Sequence, residues 1–157
     1  MGKYIIKYSF KNNITKTSCL FYGCSSLTYV DLSNFKAQNI TNMVSMFRDC
    51  LNLKKINLSN FSSQNVSDIG AMFYGCKSLV EIINLSDFNT INISNMANLF
   101  YKCSCLTGIN LTNFNILKVS DMTNMFFECT SLTKIYLSNL NLKLLLTWIE
   151  CSLDIEL

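Results

Sequence analysis

A chain of 157 residues is long enough for one folded domain, and with half of its residues hydrophobic and only 15% charged it is not a disordered polypeptide. The net charge of +3 comes from basic residues scattered along the chain, which excludes the dense basic surface of a nucleic-acid-binding protein. No apolar run approaches the roughly 18–20 residues that span a bilayer, which argues against direct membrane insertion.

The first ten residues, MGKYIIKYSF, make a poor secretory signal, because one lysine precedes an apolar stretch that is short and interrupted. We expect residues 1–13 to form a degenerate N-terminal cap strand, or to be the remnant of a longer chain. The localisation stays open at this point, between a cytoplasmic and an exported protein.

One register of cysteines runs through the chain at intervals of 26, 26, 27 and 26 residues, and phenylalanines keep step with it. The cysteines are Cys24, Cys50, Cys76, Cys103 and Cys129, and the phenylalanines are Phe21, Phe47, Phe73, Phe100 and Phe126. A fixed period of roughly 20–50 residues is typical of solenoids, in which each repeat stacks on the next. We therefore predict one solenoid domain over residues 1–157, with repeats of about 26 residues over 14–140.

The first half of each repeat predicts a short strand. In LTYVDLSNF (residues 27–35) the apolar Val30 and Leu32 flank the polar Asp31, which is the alternation of a half-buried strand. Stacked repeats would pair these strands in parallel, about 4.8 Å apart. The one interval of 27 residues falls in LVEIINL (residues 79–85), where we expect an extra residue just before the strand, in a bulge or loosened loop.

The second half of each repeat predicts a short helix. In ITNMVSMFRDC (residues 40–50), Met43, Met46, Phe47 and Cys50 follow the i, i+3, i+4, i+7 spacing of one apolar helical face. A hydroxyl residue just before this stretch indicates a helix N-cap. These residues are Thr41, Ser67, Ser94 and Ser120. The predicted fold is an α/β solenoid of about five to six coils, built from short parallel strands and short helices.

The unit SLTYVDLSNF…NITNMVSMFRDC resembles the repeat of BspA-type leucine-rich repeat surface proteins, and the resemblance spans about residues 14–140. It implies an α/β leucine-rich-repeat solenoid, with short parallel strands on the concave face and short helices on the convex face. Such solenoids bind partners, often in adhesion at a cell surface, so the resemblance favours a cell-surface or secreted protein. The family has no common catalytic residues to carry over. After Leu140 the repeat pattern ends, and we expect residues 141–157 to form a degenerate C-terminal cap. End-to-end self-association, or the start of further coils, is the alternative for that segment.

The eight cysteines raise the possibilities of zinc ligands and of disulfides. Zinc is disfavoured, because histidine and C-x-x-C pairs are absent and the cysteines of the register stand a full repeat apart. Neighbouring repeats would bring their Cα atoms within the range of a disulfide. Since these side chains would all point into the core, we favour a reduced, buried ladder of cysteines beside the phenylalanines. Cys19, Cys105 and Cys151 lie outside the register and are better candidates for exposed thiols.

No catalytic or cofactor-binding constellation is present in the sequence. Methionines at helical spacing beside phenylalanines favour core filling over copper or haem ligation. Without histidine no Ser-His-Asp or Cys-His set can form, and the chain has no glycine-rich phosphate loop. We therefore expect no enzyme activity, no cofactor and no metal.

Specificity in a repeat protein lies where the repeats differ, which here is at the outward strand positions. We predict a binding surface on the concave face, with tyrosines as anchors. Its residues are Tyr29, Asp31, Lys55, Asn57, Ile82, Asn84, Asn110, Lys134 and Tyr136. A solvated sheet face without a partner is the alternative.

A second candidate surface is an outward row on the predicted helical side, which could instead pack between coils. Its residues are Tyr22, Arg48, Tyr74, Tyr101 and Phe127.

The sequence thus predicts a non-enzymatic module that binds a protein or a host or surface ligand, and no nucleic acid. The resemblance favours an adhesion-type surface protein. The alternative is an intracellular protein-interaction scaffold, which reduced cysteines and the lack of an evident export signal support.

Overall fold

The computed structural model describes residues 14–35, 38–61 and 63–137. Within these ranges each repeat contributes one strand of three residues. The strands are β1 (Tyr29–Asp31), β2 (Lys55–Asn57), β3 (Glu81–Ile83), β4 (Gly108–Asn110) and β5 (Lys134–Tyr136). All paired strands are parallel, in one sheet of order β1-β2-β3 and a second of order β4-β5.

The short parallel strands and the repeat solenoid predicted from the sequence are confirmed by this arrangement. The predicted caps over residues 1–13 and 141–157 lie outside the described residues, so the total number of coils and the single domain over 1–157 stay predictions. Among the described residues, no helix is long and apolar enough to cross a membrane.

The prediction of short helices is wrong, because no α-helix forms within the described ranges. In the stretch 40–50, the backbone N–H groups of Met43, Ser45, Phe47 and Asp49 donate to carbonyl oxygens of the following repeat at 2.7–3.0 Å. These donors are therefore engaged between repeats and cannot close helical turns. Ser45 and Asp49 also have φ values of +56° and +58°, which a right-handed helix of L-residues does not adopt.

A succession of tight turns takes the place of the helix. Met46, Arg48 and Cys50 each donate their backbone N–H to the carbonyl oxygen three residues earlier, at 3.1–3.2 Å. Ser45 and Asp49 occupy the third position of the first and last of these turns, where a type II turn requires a positive φ. We call this stretch the turn segment. It recurs at residues 17–24, 43–50, 69–76, 96–103 and 122–129.

The residues predicted as helix N-caps join successive repeats instead. Ser67 donates both its backbone N–H (2.9 Å) and its hydroxyl (3.2 Å) to the carbonyl oxygen of Thr41. Ser94 does the same to the carbonyl oxygen of Ser67, at 2.9 and 3.2 Å. The next residue after Ser67, Asp68, accepts the N–H of Gly70 at 2.9 Å and so closes a local turn. Each hydroxyl is therefore a bridge along the solenoid rather than a cap.

The core is built from stacked, chemically equivalent side chains. The rings of Phe21, Phe47, Phe73, Phe100 and Phe126 stack with centroids 5.2–5.7 Å apart and planes within 6° of parallel. All but Phe21, which is half-buried, are buried. Methionines of the turn segments are buried beside them, at positions 43, 46, 72, 96, 122 and 125. Burying such rings and thioethers contributes about 1.5–3 kcal/mol each relative to leaving them in water.

Four cysteines of the register are also buried, and each thiol donates to a phenylalanine carbonyl of the preceding repeat. The pairs are Cys50–Phe21, Cys76–Phe47, Cys103–Phe73 and Cys129–Phe100, with sulfur–oxygen distances of 2.9–3.2 Å. Burial raises the pKa of Cys50 to about 12 and raises the pKa of Cys76 and Cys103 as well.

The first cysteine of the register departs from the prediction. Cys24, expected in the core, is exposed. It lies in the first described repeat, where the described residues cover it from one side only. Cys19 and Cys105, which lie outside the register, are exposed too, and Cys151 is outside the described residues.

Candidate binding site on the strand face

The first and third residues of each strand point away from the core and form one surface, which we call the strand face. Its residues are Tyr29, Asp31, Lys55, Asn57, Glu81, Ile83, Gly108, Asn110, Lys134 and Tyr136. The parallel register aligns them in two rows, since each residue pairs with its equivalent in the next repeat. Seven of the nine residues predicted for the binding surface therefore lie on this face.

The two other predicted residues, Ile82 and Asn84, occupy different positions. The register pairs Ile82 with Ile56, so Ile82 is the inward residue of β3 and packs against the core. Glu81 and Ile83 hold the outward positions instead. The spacing alone could not reveal this, because Glu81-Ile82-Ile83 lacks the alternation that distinguishes the two faces of a strand.

The extra residue of the 27-residue interval follows β3 rather than preceding it, which corrects the sequence prediction. It is Asn84, with φ +56°, and a single 3₁₀ turn, Leu85–Asp87, comes directly after it. Asparagine tolerates this left-handed conformation better than most residues. Its side-chain amide donates to the hydroxyl of Ser59 at 2.6 Å, which holds the inserted residue against the second repeat.

Side-chain bonds link neighbouring strands on the part of the face formed by β1 to β3. The ammonium group of Lys55 lies 2.7 Å from the carboxylate of Glu81. The amide of Asn57 donates to Asp31 at 3.1 Å, and the backbone N–H of Ser33 donates to the same carboxylate at 2.9 Å. The Ser33 N–H is the main reason that the pKa of Asp31 lies below its usual range. These polar groups are thus held in defined positions before any partner arrives.

The sheet is interrupted between β3 and β4. At the other three steps, the residue after the strand donates its N–H to the next repeat at 2.9–3.0 Å. These bonds are Leu32 to Asn57, Leu58 to Ile83 and Leu111 to Tyr136. Between β3 and β4, the equivalent groups are the Leu85 N–H and the Asn110 carbonyl oxygen. Among the described residues no hydrogen bond joins these two groups. The insertion of Asn84 accounts for the missing bond, because it shifts Leu85 by one residue from the position that its equivalents hold in the ladder of backbone hydrogen bonds.

A groove opens where the sheet is interrupted, and we call it the strand groove. Its volume is about 490 Å³, and its lining includes Ile83, Asn84, Gly108, Asn110 and Tyr136. Gly108 leaves the β4 side of the groove without a side chain at this position. A Cβ there would meet no atom closer than Lys134, at 3.6 Å. Glycine within a strand often marks a close approach of another backbone or a ligand. The groove was missed at the sequence level, although the 27-residue interval and Gly108 were its two visible signs.

The second candidate surface, the row on the turn segments, is occupied by contacts between repeats. The guanidinium of Arg48 lies 4.2 Å from the ring centroid of Tyr74 and 6.0 Å from that of Tyr22. Tyr74 stacks on Tyr101 at 4.6 Å, and Tyr101 on Phe127 at 5.1 Å. Because the faces of these rings contact each other, the row supports the packing of coils more directly than it offers a binding surface.

Within residues 14–35, 38–61 and 63–137, no cluster of three or more cysteine or carboxylate side chains could hold a metal ion. The described residues of the strand face offer hydrogen-bonding groups, the Lys55–Glu81 ion pair and the exposed rings of Tyr29 and Tyr136.

Residues 5–84 and 82–145 match the family described as "Mycoplasma protein of unknown function, DUF285". The chain belongs to the DUF285 family. The fold of this DUF285 chain is similar to the crystal structure of a leucine-rich repeat protein from Bacteroides ovatus, with a TM-score of 0.52 and 22% sequence identity. That alignment covers 90% of the DUF285 chain but only 38% of the Bacteroides protein, and it indicates a shared fold alone. No curated protein matches the chain significantly.

Proposed function

We propose that this DUF285 chain is a non-enzymatic repeat module that binds a protein or another surface ligand through its strand face. The observation that carries the proposal is the pair of exposed tyrosines on β1 and β5. The Tyr29 side chain is 50% exposed and that of Tyr136 is 53% exposed, whereas the core phenylalanines and the tyrosines Tyr74 and Tyr101 are stacked. Exposed tyrosines on a rigid support contribute much of the binding energy at protein interfaces.

The leucine-rich-repeat fold supports this function, since solenoids of this type present extended surfaces for partners. The polar bonds that link Asp31, Asn57, Lys55 and Glu81 support it too, because a pre-organised surface loses less conformational entropy on binding.

Two locations remain in competition for the same module. The resemblance to BspA-type surface proteins supports a role in adhesion at a cell surface. The buried thiols of Cys50, Cys76 and Cys103 support an intracellular scaffold, because reduced cysteines persist in the cytosol. Labelling of intact cells with an antibody against the chain distinguishes the two: surface staining without permeabilisation supports adhesion, and staining only after permeabilisation supports the scaffold.

The strand face is tested by cross-linking the purified chain to partners in an extract of the cells that produce it. We expect the Tyr29→Ala/Tyr136→Ala variant to recover about tenfold less of any specific partner, because it removes both aromatic anchors. Tyr22→Ala is the matched control, since Tyr22 is also 53% exposed but lies on a turn segment. Equal recovery by the double variant and the control would count against the strand face as the binding site.

A further inference from the structure

We propose that the strand groove receives one extended polypeptide segment of a partner protein, which pairs its backbone with the edges of β3 and β4. The inference rests on the proposed binding function and specifies the class of partner. It is argued from three features of the groove: its strand edges, its half-buried floor and its charge.

The two walls of the groove are strand edges without the bonds that close the other steps. Besides the missing Leu85–Asn110 bond, the N–H of Thr107 makes no bond to Val80. Its equivalent in the next repeat, Thr133, donates to the carbonyl oxygen of Thr107 at 3.0 Å. An open strand edge pairs readily with another extended chain, and many peptide-binding proteins use this mode of recognition.

The two repeats stay joined outside the groove, and just before the strands the N–H of Cys105 donates to Lys77 at 3.1 Å. The turn segments that precede β3 and β4 are joined, because Asp68 pairs with Asn95 and the N–H of Phe73 donates to Leu99 at 3.0 Å. The stack is therefore continuous behind the groove and open in front of it. A peptide would meet edges that are already positioned, which reduces the entropic cost of binding.

The floor of the groove favours an apolar side chain from the occupant. Ile82 is only half-buried, whereas its equivalents Ile56 and Ile109 are 0% and 5% exposed. β4 does not pair with β3, so no strand covers Ile82 on its groove side, although Ile109 on the opposite wall is buried. An inward apolar side chain on an inserted strand would restore this cover, at roughly 25 cal/mol for each Å² of apolar surface removed from water.

The charges at the rim favour an acidic side chain on the outward side of the occupant. The carboxylate of Glu81 is already paired with Lys55 at 2.7 Å. Lys134 makes no ion pair with any described residue, and only Gly108 separates it from the groove. An outward acidic residue on the inserted strand could reach Lys134 over Gly108, where no side chain intervenes. The occupant is thus a strand in which apolar and acidic residues alternate.

A polypeptide suits the groove better than a small apolar ligand. A small ligand could cover Ile82, but it would leave the peptide groups at both edges without backbone partners. A peptide can form backbone hydrogen bonds with both strand edges, cover Ile82 and place a charge near Lys134 at the same time.

The test uses a heptapeptide in which valine and glutamate alternate, titrated to millimolar concentration into the full chain. Backbone amide shifts are followed by NMR at Ile82, Asn84, Gly108 and Asn110. We expect saturable shifts at these positions. A peptide with lysine in place of glutamate should bind about fivefold more weakly, the value of one ion pair of about 1 kcal/mol. A peptide methylated on alternate backbone nitrogens should not bind, because it cannot pair with a strand edge.

Two protein variants test the geometry independently. Deletion of Asn84 restores the 26-residue interval, and we expect it to join β3 to β4 and abolish the peptide shifts while unfolding stays cooperative. Gly108→Glu places a carboxylate beside Lys134 in open space, so we expect it to remove the preference for glutamate over lysine. The second variant leaves the edges open, and it serves as a test even if the deletion does not fold.

Several outcomes would overturn the groove proposal: no saturable shifts, equal binding of the methylated peptide, or undiminished binding to a folded Asn84 deletion. Shifts that arise from a dimer of the chain, detected by sedimentation, would assign the groove to a second copy and overturn it as well. If the peptide fails while Tyr29→Ala/Tyr136→Ala still reduces partner recovery, the proposed function stands without the groove. If the peptide binds but the tyrosine variant has no effect, the groove stands without the tyrosine anchors.

Discussion

The thiol of Cys76 lies 3.1 Å from the carbonyl oxygen of Phe47 in the preceding repeat, and the same oxygen accepts the backbone N–H of Cys50 at 3.1 Å. One buried oxygen therefore joins a turn within one repeat to the core cysteine of the next. A carbonyl oxygen has two lone pairs and can accept both donors. This explains why the position suits cysteine, which is small, largely apolar and still able to donate a weak hydrogen bond.

Replacing this cysteine should destabilise the solenoid. We expect Cys76→Ala to lower the free energy of unfolding by about 1–3 kcal/mol, because it leaves a small void and removes the thiol bond. Urea denaturation measures the change. Cys105→Ala is the control, since Cys105 is exposed, and its effect should stay within about 0.5 kcal/mol. Equal effects of the two variants would show that the buried thiol contributes nothing specific.

Alkylation of the native chain should separate two groups of cysteines. We expect rapid modification of Cys19, Cys24 and Cys105, which are exposed. Cys50, Cys76, Cys103 and Cys129 should react only after unfolding, because they are buried. Mass spectrometry of proteolytic fragments identifies the modified sites. Cys24 is the informative position, since the sequence pattern predicts a protected thiol there; rapid labelling of Cys76 in the native chain would contradict the structure.

Stability should fall at high pH. Burial raises the pKa of Cys50 from 9.0 to about 12, so between these values the unfolded chain loses a proton that the folded chain keeps. The contribution of the protonated Cys50 thiol to the free energy of unfolding is complete below pH 9. It decreases as the pH rises toward 12, by about 1.4 kcal/mol per pH unit for one thiol. Urea midpoints measured from pH 8 upward test this. Cys50→Ser cannot ionise and should show a shallower slope; an unchanged slope would refute the assignment to this thiol.

Two glycines with similar backbone conformations should respond differently to alanine. Gly23 and Gly75 have φ values of +67° and +70°, so each substitution should cost about 1 kcal/mol for the left-handed conformation alone. A Cβ at Gly23 meets nothing within 4 Å, whereas one at Gly75 would overlap the carboxylate of Asp49. The carboxylate that must move is the end of a partly exposed side chain, so we expect Gly75→Ala to cost up to about 1 kcal/mol more than Gly23→Ala in thermal or urea unfolding.

The double variant Gly75→Ala/Asp49→Ala isolates the overlap from the backbone effect. We expect it to recover the excess cost of Gly75→Ala, because neighbouring residues that clash are not additive. An excess cost that persists without the Asp49 carboxylate would mean that the backbone alone is responsible.

Much of the strand side could be predicted, because a residue that alternates between core and solvent shows its position in the pattern itself. Val30 and Leu32 are buried and Asp31 is exposed, as the alternation indicates. The same argument failed at Ile82, where three neighbouring residues give no alternation. The direction of each side chain there depends on the register with β2, which is a contact between repeats.

In the turn segments, the sequence pattern predicted the buried side chains but not the backbone conformation. Met43, Met46, Phe47 and Cys50 are buried as a helical face would require, yet the backbone is not helical. Two backbones can bury the same set of side chains, and the choice between them depends on the partner of each N–H group. In this chain those partners lie in the next repeat, where no local pattern can reveal them.

The amino-acid sequence by itself determined the period of the repeats, the short parallel strands and most of the core. Buried positions require apolar residues, and the same positions are apolar in successive repeats, so the pattern is visible in the sequence. The tertiary structure alone decided that the second half of each repeat is a series of turns, and that Asn84 follows β3 and separates it from β4. The physical reason is the same in both cases. Backbone hydrogen bonds between repeats, whose partners lie about 26 residues away, determine the path of the chain and the place where the sheet opens.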